Sequence, residues 1–501
     1  MKRLPLWVGV VLGVVLAPGL ALAAWTAAGS GDAFGRAFAM PAGSTPSVSV
    51  TGRNVTLSWS GSTFPNGDPV DGYVVRRYPS GGGASQTVLA DCAGTVTTTS
   101  CVEHAVPAGS WVYTITPVHA SWTGTEGATS AAVTIDPPTL TLTPSTVTSL
   151  PASPGGTLTG FATGETVTFR LDDPNGGTVL SGSIDPDPVP LDGQATVSVT
   201  LPNGTADGAH TVYAVGSAGT QASVAVTVDA TPPVVQAAAI QKTQGGSAGY
   251  LKQGGTYRVY ANVTDAGSSV ASVTADVSAI TTGQTAVALS AGSWVVDGVT
   301  YGYRSAPLTA DNPLAEGSLG FAISAADASG HATTQGGFTV TVDNTPPSAT
   351  DVQTANASGG TVGRAETGDT ITFTFSEPIE PGSILAGWDG SVTTVTVRLI
   401  NNATGDRIQV WNAANGAQLP LGTVVLGRTD YTNASRNFTA STMQMSGSTI
   451  TVTLGTPSGA VRTAAGTGTM TWTPSTAPYD RAANAMLTIA ATEGGPADAE
   501  F

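Results

Sequence analysis

The chain has 501 residues, of which 41% are hydrophobic and only 10% are charged, so it can bury genuine cores and is not a disordered chain. Lys and Arg total 18 against 34 Asp and Glu, which gives a formal net charge of −16. A surface of this sign repels phosphate groups, which argues against nucleic acid and against anionic lipid surfaces as partners.

The first residues predict export. Two basic residues precede an apolar run from Leu4 to Ala24, and the run ends in the small-residue pattern A-x-A that precedes a cleavage site. We therefore expect residues 1–23 to be a signal peptide and residues 24–44 to be irregular or a short helix. The alternative is an uncleaved membrane anchor, since the run is long enough to span a bilayer.

Three similar motifs divide the rest of the chain. "VTIDPP" begins at Val133, "VTVDATPP" at Val226 and "VTVDNTPP" at Val340. Alternating β-branched residues are typical of a strand, and the prolines that follow cannot continue its hydrogen-bond ladder. Each motif therefore predicts the last strand of one domain followed by a short Pro-rich linker.

The motifs predict four domains, called here the first to fourth segments: 45–136, 137–229, 230–343 and 344–501. Each segment contains runs that alternate with a period of two, such as "NVTLSWS" from Asn54 and "TITFTFS" from Thr370. The 63 glycines and 32 prolines supply the turns between such runs. A chain of this length corresponds to about three to four domains, so we predict an all-β chain of four tandem β-sandwiches.

The first segment resembles a fibronectin type III domain. The resemblance is carried by "VTLSW" from Val55, "NGDPVDGYVVRRYPSGG" from Asn66 and "VPAGSWVYTITPV" from Val106, and it covers about a fifth of the chain. It implies four aromatic residues in the domain core: Trp59, Tyr73, Trp111 and Tyr113.

The other three segments resemble bacterial immunoglobulin-like repeats. The carrying stretches are "GFATGETVTFRLD" from Gly160, "VTDAGSSVASV" from Val263 and "GDTITFTFSEPI" from Gly368, with "YDRAANAM" from Tyr479 near the end of the larger fourth segment. Their Thr-, Ala- and Gly-rich composition resembles secreted proteins of the actinobacterial type. Neither resemblance implies an enzyme activity.

The two cysteines of the chain, Cys92 and Cys101, predict a disulfide in an exported protein. The spacing is not C-x-x-C, which argues against a redox or metal pair. The chain-entropy model gives a loop this short roughly 2–3 kcal/mol of stabilisation.

Patterns for catalysis are weak. "GGSAG" from Gly245 places Ser247 in a G-x-S-x-G pattern, but a strand-like stretch follows it instead of the helix that the catalytic motif requires. The four histidines have no zinc-binding spacing. We therefore predict a protein that is not an enzyme and needs no cofactor, with calcium as the possible exception.

Calcium would be held by aspartates, since this ion takes six to eight oxygen ligands. Asp265 and Asp327 lie in predicted turns of the third segment, and Asp229 and Asp343 lie at its two ends. The alternative for all four is turn capping, in which the carboxylate accepts hydrogen bonds from neighbouring backbone N–H groups.

The sequence thus predicts a non-enzymatic structural or adhesive protein, secreted or on the cell surface, whose partner is an extracellular protein or a glycan. The alternative function is a carbohydrate-binding accessory protein that stacks sugars on exposed aromatic side chains. Its candidate residues lie outside the fibronectin-like motifs: Trp122, Trp294, Trp388, Trp411 and Trp472.

Overall fold

The computed structural model describes residues 38–501, and the chain divides into two compact units, 1–137 and 138–501, which are described separately. The predicted signal peptide and most of the 24–44 segment lie outside the described residues; residues 38–46 are irregular. The all-β prediction is confirmed, because the helical elements within 38–501 are two single turns, Ala90–Cys92 and α1 (Pro381–Ile384). Within that range, neither turn has the length that crossing a bilayer requires.

The first unit is a sandwich of two sheets. Its strands are β1 (Ser47–Thr51), β2 (Asn54–Ser58), β3 (Gly72–Pro79), β4 (Thr95–Val96), β5 (Ser100–Glu103), β6 (Gly109–His119), β7 (Trp122–Thr123) and β8 (Val133–Ile135). One sheet has the order β1-β2-β5, and the other has the order β4-β3-β6-β7, with β8 also paired to β6. Leu57 of the first sheet and Val75 and Ile115 of the second belong to one buried cluster, so the two sheets enclose the core between them.

The second segment forms one continuous sheet folded around its own core. Its strands are β9 (Thr139–Thr143), β10 (Thr146–Val147), β11 (Gly155–Thr159), β12 (Val167–Leu171), β13 (Thr178–Asp185), β14 (Ala195–Thr200), β15 (Gly208–Gly216) and β16 (Gln221–Val228). The order is β10-β16-β15-β12-β13-β14-β11-β9. Leu158 and Val197 from one end of this order meet Phe169 and Val226 from the other in a single cluster, which makes the arrangement sandwich-like.

The third segment repeats this scheme. Its strands are β17 (Val234–Lys242), β18 (Tyr250–Leu251), β19 (Thr256–Thr264), β20 (Val270–Asp276), β21 (Val287–Val296), β22 (Val299–Ser305), β23 (Leu308–Thr309), β24 (Gly317–Asp327) and β25 (Ala332–Val342). The order is β17-β19-β22-β21-β20-β24-β25-β18, with β23 paired to β19. In both segments an early strand runs parallel to the last one: β10 pairs with β16, and β18 pairs with β25.

The fourth segment contains the largest core. Its strands are β26 (Ala349–Ala355), β27 (Thr370–Phe375), β28 (Thr393–Ile400), β29 (Arg407–Asn412), β30 (Thr423–Val425), β31 (Arg436–Ser446), β32 (Thr449–Thr453), β33 (Thr456–Pro457), β34 (Thr471–Thr473) and β35 (Ala491–Thr492). The order is β26-β27-β32-β31-β28-β29-β30-β34-β35, with β33 paired to β31. Trp472 is fully buried, and its ring lies 5.1 Å from the rings of both Phe373 and Phe375.

Each repeated motif lies at the end of a strand. β8 ends at Ile135, β16 at Val228 and β25 at Val342, one residue before the aspartate of the motif in each case. The valines of these strand ends are buried. Asp229 and Asp343 directly follow the last strand of the second and third segments. The main clusters of buried residues each fall within one predicted segment. The division of the second unit into three domains stays a prediction.

Candidate functional site

The four aromatic residues of the fibronectin-like motifs lie in or against the core of the first unit. Trp59, Tyr73 and Tyr113 are buried, and the Trp59 and Tyr73 rings meet edge to face at 5.4 Å. Trp111 is only half-buried: it packs against the edge of the core, and its indole N–H donates to the carbonyl oxygen of Pro107 at 2.8 Å. These side chains serve packing, so the first unit uses its aromatic motifs for stability.

A charged network lies inside the same core. Arg77 and Glu103 are almost fully buried, and an Arg77 N–H donates to Glu103 at 2.5 Å. The Leu89 N–H donates to the same Glu103 oxygen, Oε1, at 2.9 Å, and the Tyr113 hydroxyl donates to Oε2 at 2.7 Å. Burial and the neighbouring Glu103 carboxylate raise the pKa of Tyr113 far above its usual range. This carboxylate is therefore held by several donors, as a buried charge must be.

Cys92 and Cys101 form a disulfide, which joins the Ala90–Cys92 turn to β5. Both cysteines belong to the buried cluster of the first unit, so the bond is protected from solvent.

The tryptophans named for carbohydrate binding do not form an exposed row. Trp388 and Trp472 are buried. Arg304 and Arg398 cover the other two half-buried rings, since their guanidinium carbons lie 4.5 Å from the centre of Trp294 and 3.3 Å from that of Trp411. Trp122 alone among these five is well exposed, at 71%, and lines a cleft of about 700 Å³.

Ser247 is not part of a catalytic pair with histidine. Its hydroxyl donates to a carboxylate oxygen of Glu380 at 2.6 Å, and its backbone N–H donates to the carbonyl oxygen of Arg481. Each of the four histidines instead lies beside an aspartate, at distances from 2.8 to 3.7 Å.

Two acidic clusters lie where the segments of the second unit meet, and they contain three of the four predicted calcium ligands. We call the first the Asp229 junction, made of Asp229, Asp327 and His331. We call the second the Asp343 junction, made of Asp343, Glu377 and Asp480. In each cluster, one ligand atom from every residue lies within 4.8 Å of the others. His331, Glu377 and Asp480 were not among the calcium ligands predicted from the sequence.

At the Asp229 junction, a buried carboxylate has no hydrogen-bond donor. Asp229 is completely buried, and neither of its oxygens has a partner among the described residues. Asp327 is well supplied by comparison, because it accepts hydrogen bonds from the backbone N–H groups of Ser329 and His331. An unpartnered buried carboxylate is costly, so Asp229 requires a nearby positive charge.

His331 supplies one such charge. Its two ring nitrogens face oxygens, Nδ1 toward Asp327 at 3.0 Å and Nε2 toward the carbonyl oxygen of Thr148 at 2.8 Å. The hydrogen bond to Thr148 and the charges of Asp327 and Asp229 raise the pKa of His331, against the effect of burial. In the imidazolium form both nitrogens donate, so His331 has no free lone pair for a metal and only the carboxylates remain as ligands.

Asp265 does not join the group of close ligand atoms at this junction. One of its oxygens accepts hydrogen bonds from the N–H and the hydroxyl of Ser268, which is the turn-capping arrangement. Its other oxygen is buried and has no hydrogen-bond donor in residues 38–501. The adjacent Gly267 lies against Asp229, since a Cβ there would come within 2.4 Å of an Asp229 oxygen. The turn therefore closes over the buried carboxylate.

At the Asp343 junction, two of the three carboxylates accept hydrogen bonds from neighbouring residues. Asp343 accepts a hydrogen bond from the Thr345 N–H, as a turn cap does. Asp480 is buried and accepts two hydrogen bonds from Asn484 at 2.8 Å. Burial, and then the charge of Asp343 and a hydrogen bond with it, raise the pKa of Glu377 to about 8.

The loop that begins at Tyr479 reaches across this junction. Lys242 donates to the carbonyl oxygen of Arg481 at 2.6 Å, and Lys252 donates to that of Ala483 at 2.6 Å. The Asn484 side chain donates to the carbonyl oxygen of Asp343 at 2.9 Å. Hydrogen bonds of Lys and Asn side chains thus connect this loop of the fourth segment to the third segment.

Comparisons with known proteins add little beyond the fold. No family model matches the chain, and no curated protein matches it. Among solved structures, a tetra-tandem repeat in the extending region of a large adhesion protein is 14% identical, with 93% of this chain and 100% of that chain covered and a TM-score of 0.23. A Ca²⁺-stabilised adhesin described as helping an Antarctic bacterium bind ice is 15% identical over 83% and 99%, with a TM-score of 0.22.

The ectodomain of mouse nectin-like molecule 4, with domains Ig1–Ig3, is 11% identical over 60% of this chain and 96% of that chain, with a TM-score of 0.24. The first of these structures is described as part of a large adhesion protein, the second as an adhesin and the third as an ectodomain of three Ig domains. The TM-scores are too low for any of them to guide the assignment of a site.

Proposed function

We propose that the chain is a non-enzymatic extracellular protein with a structural or adhesive role, in which residues 138–501 act as a stiff arm. The observation that carries this proposal is the set of hydrogen bonds between residues far apart in sequence at both junctions: His331 to Thr148, Lys242 to Arg481 and Asn484 to Asp343. Short linkers alone would let neighbouring modules pivot, whereas such contacts hold them in place.

Small-angle scattering of the secreted chain tests the stiffness. The variant Lys252→Met removes the contact to Ala483, and Lys242→Met removes the contact to Arg481. We expect a broader distribution of interatomic distances in the double variant and no change in a matched double variant of exposed residues, Arg76→Met with Arg462→Met. Identical scattering curves for all three proteins would contradict a stiffening role for the junction.

Whole-cell binding and a glycan array then test adhesion. We expect the purified chain to bind an extracellular protein or a glycan without hydrolysing it. The extracellular location and the actinobacterial type are part of the proposal and rest on the sequence. Secretion is tested separately by N-terminal sequencing of the mature protein, which we expect to begin near Ala24.

Calcium at the Asp229 junction belongs to this proposal. Asp229 fits a hard cation because both of its oxygens are buried without a donor, and Asp327 lies within reach of the same ion. These two carboxylates, with further oxygens from backbone or water, would hold the ion. Calorimetric titration of the full chain and of the variant Asp229→Asn tests it: loss of one calcium equivalent in the variant is expected, and equal heats would contradict the site.

Carbohydrate binding is the second candidate, and one observation supports it. The exposed ring of Trp122 lines the cleft of the first unit together with Asn66, Asp68 and His119, a combination of aromatic face and polar groups that suits a sugar. The variant Trp122→Ala should abolish any glycan-array signal, while Trp411→Ala, whose ring Arg398 covers, should leave it unchanged.

A further inference from the structure

A third acidic cluster lies inside the fourth segment, away from both junctions. One carboxylate oxygen each from Glu493, Asp498 and Glu500 lies within 4.8 Å of the other two. Glu493 and Glu500 are buried, with 8% and 1% of their surfaces exposed, whereas Asp498 is exposed. The cluster therefore has a closed side and a side that water can reach.

Two of these carboxylates are not satisfied by the protein. Oε1 of Glu493 and Oε1 of Glu500 are both buried and have no hydrogen-bond partner among residues 38–501. The other oxygen of Glu500 accepts a hydrogen bond from the Thr354 hydroxyl at 2.8 Å. Two buried carboxylates that face each other without donors require either a shared proton or a cation.

Hydrogen bonds connect the backbone of each of these three residues to other parts of the fourth segment. The Glu493 N–H donates to the carbonyl oxygen of Met470, and the carbonyl oxygen of Asp498 accepts from the Gly468 N–H at 2.8 Å. The Glu500 N–H donates to the Tyr431 hydroxyl at 2.9 Å. These hydrogen bonds anchor the backbones of the three residues, so the chain is held where their carboxylates lie close together.

We propose that Glu493, Asp498 and Glu500 bind a calcium ion that fastens residues 493–501 to the rest of the fourth segment. All three ligands are carboxylates, which favours a hard cation over zinc or copper. Calcium accepts six to eight oxygens in irregular geometry, so water on the Asp498 side completes its shell. Magnesium requires a near-ideal octahedron, which three carboxylates fixed by separate backbone elements do not provide.

The electrostatics of the cluster agree with this geometry. Burial raises the pKa of Glu500 to about 8, and the neighbouring carboxylates of Glu493 and Asp498 act in the same direction, against the Thr354 hydrogen bond. A divalent cation would displace the bound proton and turn these repulsions into attractions.

Hydrogen exchange of the full chain tests the site directly. Opening of residues 493–501 would release the ion, so calcium at a hundred times its dissociation constant should slow exchange there by about 100-fold relative to EDTA. The variant Glu500→Gln should remove this protection. The variant should still fold, because its side-chain amide oxygen can accept the Thr354 hydrogen bond and its amide N–H can donate to the Glu493 carboxylate. The matched control is Glu366→Gln in the same segment, which should keep the protection.

Stoichiometry and affinity separate this site from the Asp229 junction. Calorimetry of Glu500→Gln should show one calcium equivalent fewer than the parent chain, and Asp229→Asn should retain the equivalent that Glu500→Gln loses. Asp498→Asn leaves the buried pair intact and should weaken calcium binding at least tenfold.

Three results would overturn the proposal. The first is exchange of residues 493–501 that is the same in calcium and EDTA, which would leave a shared proton as the explanation of the pair. The second is an unchanged affinity in Asp498→Asn. The third is equal protection by magnesium at the same concentration, which would overturn the assignment to calcium.

Discussion

The ammonium group of Lys242 donates a hydrogen bond of 2.6 Å to the carbonyl oxygen of Arg481, 239 residues further along the chain. The same group donates to the carbonyl oxygens of Tyr250 and Ser247. A lysine buried at a junction therefore satisfies carbonyl oxygens from two segments at once. Such a contact fixes how the third and fourth segments meet, and it makes their association sensitive to the protonation of one residue.

The first prediction concerns pH. Burial lowers the pKa of Lys242 from 10.5 to about 8, although nearby carboxylates act in the opposite direction. Between about pH 8 and 10.5 the unfolded chain therefore binds more protons at this residue than the folded chain, and the free energy of unfolding rises with pH, by on the order of 3 kcal/mol in total. Urea unfolding of the second unit within the full chain, measured across this range, checks it.

The control for this measurement is Lys242→Met, which has no group to titrate. The difference between parent and variant should grow in favour of the parent as the pH rises. A difference that stays constant from pH 7.5 to 10 would show that Lys242 titrates normally in the folded chain.

The second prediction concerns the Asp229 junction. The pKa of His331 is raised above 6.5, so its stabilising contribution is fully present below pH 6.5 and is lost as the pH rises through the folded-state value. We expect proteolysis near Asp229 to become faster over this range. The variant His331→Gln should be cut at a rate that does not depend on pH there, and a parent chain with the same flat profile would refute the role of the imidazolium.

The third prediction concerns the buried charges of the first unit. Glu103→Ala leaves Arg77 buried without its carboxylate, so the free energy of unfolding should fall by about 3–5 kcal/mol. Tyr113→Phe removes one donor and keeps the charge pair, and should cost about 1–2 kcal/mol. Guanidinium unfolding followed by tryptophan fluorescence compares the two. Equal losses in the free energy of unfolding would contradict a larger contribution of the ion pair than of the Tyr113 hydrogen bond.

The fourth prediction concerns the disulfide. Replacing Cys92 and Cys101 by serine, or reducing the bond, should lower the free energy of unfolding of the first unit by about 2–3 kcal/mol, because the unfolded chain regains the freedom of a short loop. Unfolding with and without dithiothreitol measures this. The second unit contains no cysteine, so its transition serves as an internal control and should not move.

The sequence predicted local features well because they depend on neighbouring residues. Alternating valines followed by proline indicate a strand end, and β16 and β25 end one residue before Asp229 and Asp343. The aromatic motifs likewise predicted core positions for Trp59 and Tyr113, and both side chains are buried.

The candidate sites were harder to predict because they depend on distant residues. The grouping of Asp343 with Glu377 and Asp480 depends on how two segments meet, and no periodicity records that contact. The one sequence feature that relates to this contact is "YDRAANAM", in which Asn484 follows Asp480 by four residues. The Asn484 side-chain amide donates hydrogen bonds to the Asp480 carboxylate and to the carbonyl oxygen of Asp343. Likewise, the acidic residues near Glu500 give no sign in the sequence that they are buried.

The parallel pairing of an early strand with the last strand, β10 with β16 and β18 with β25, has a mechanical consequence. When the two ends of such a segment are pulled apart, the paired strands slide in opposite directions along their length. Their hydrogen bonds must then break together, whereas those of a hairpin open one at a time. The second and third segments should therefore resist tension along the chain.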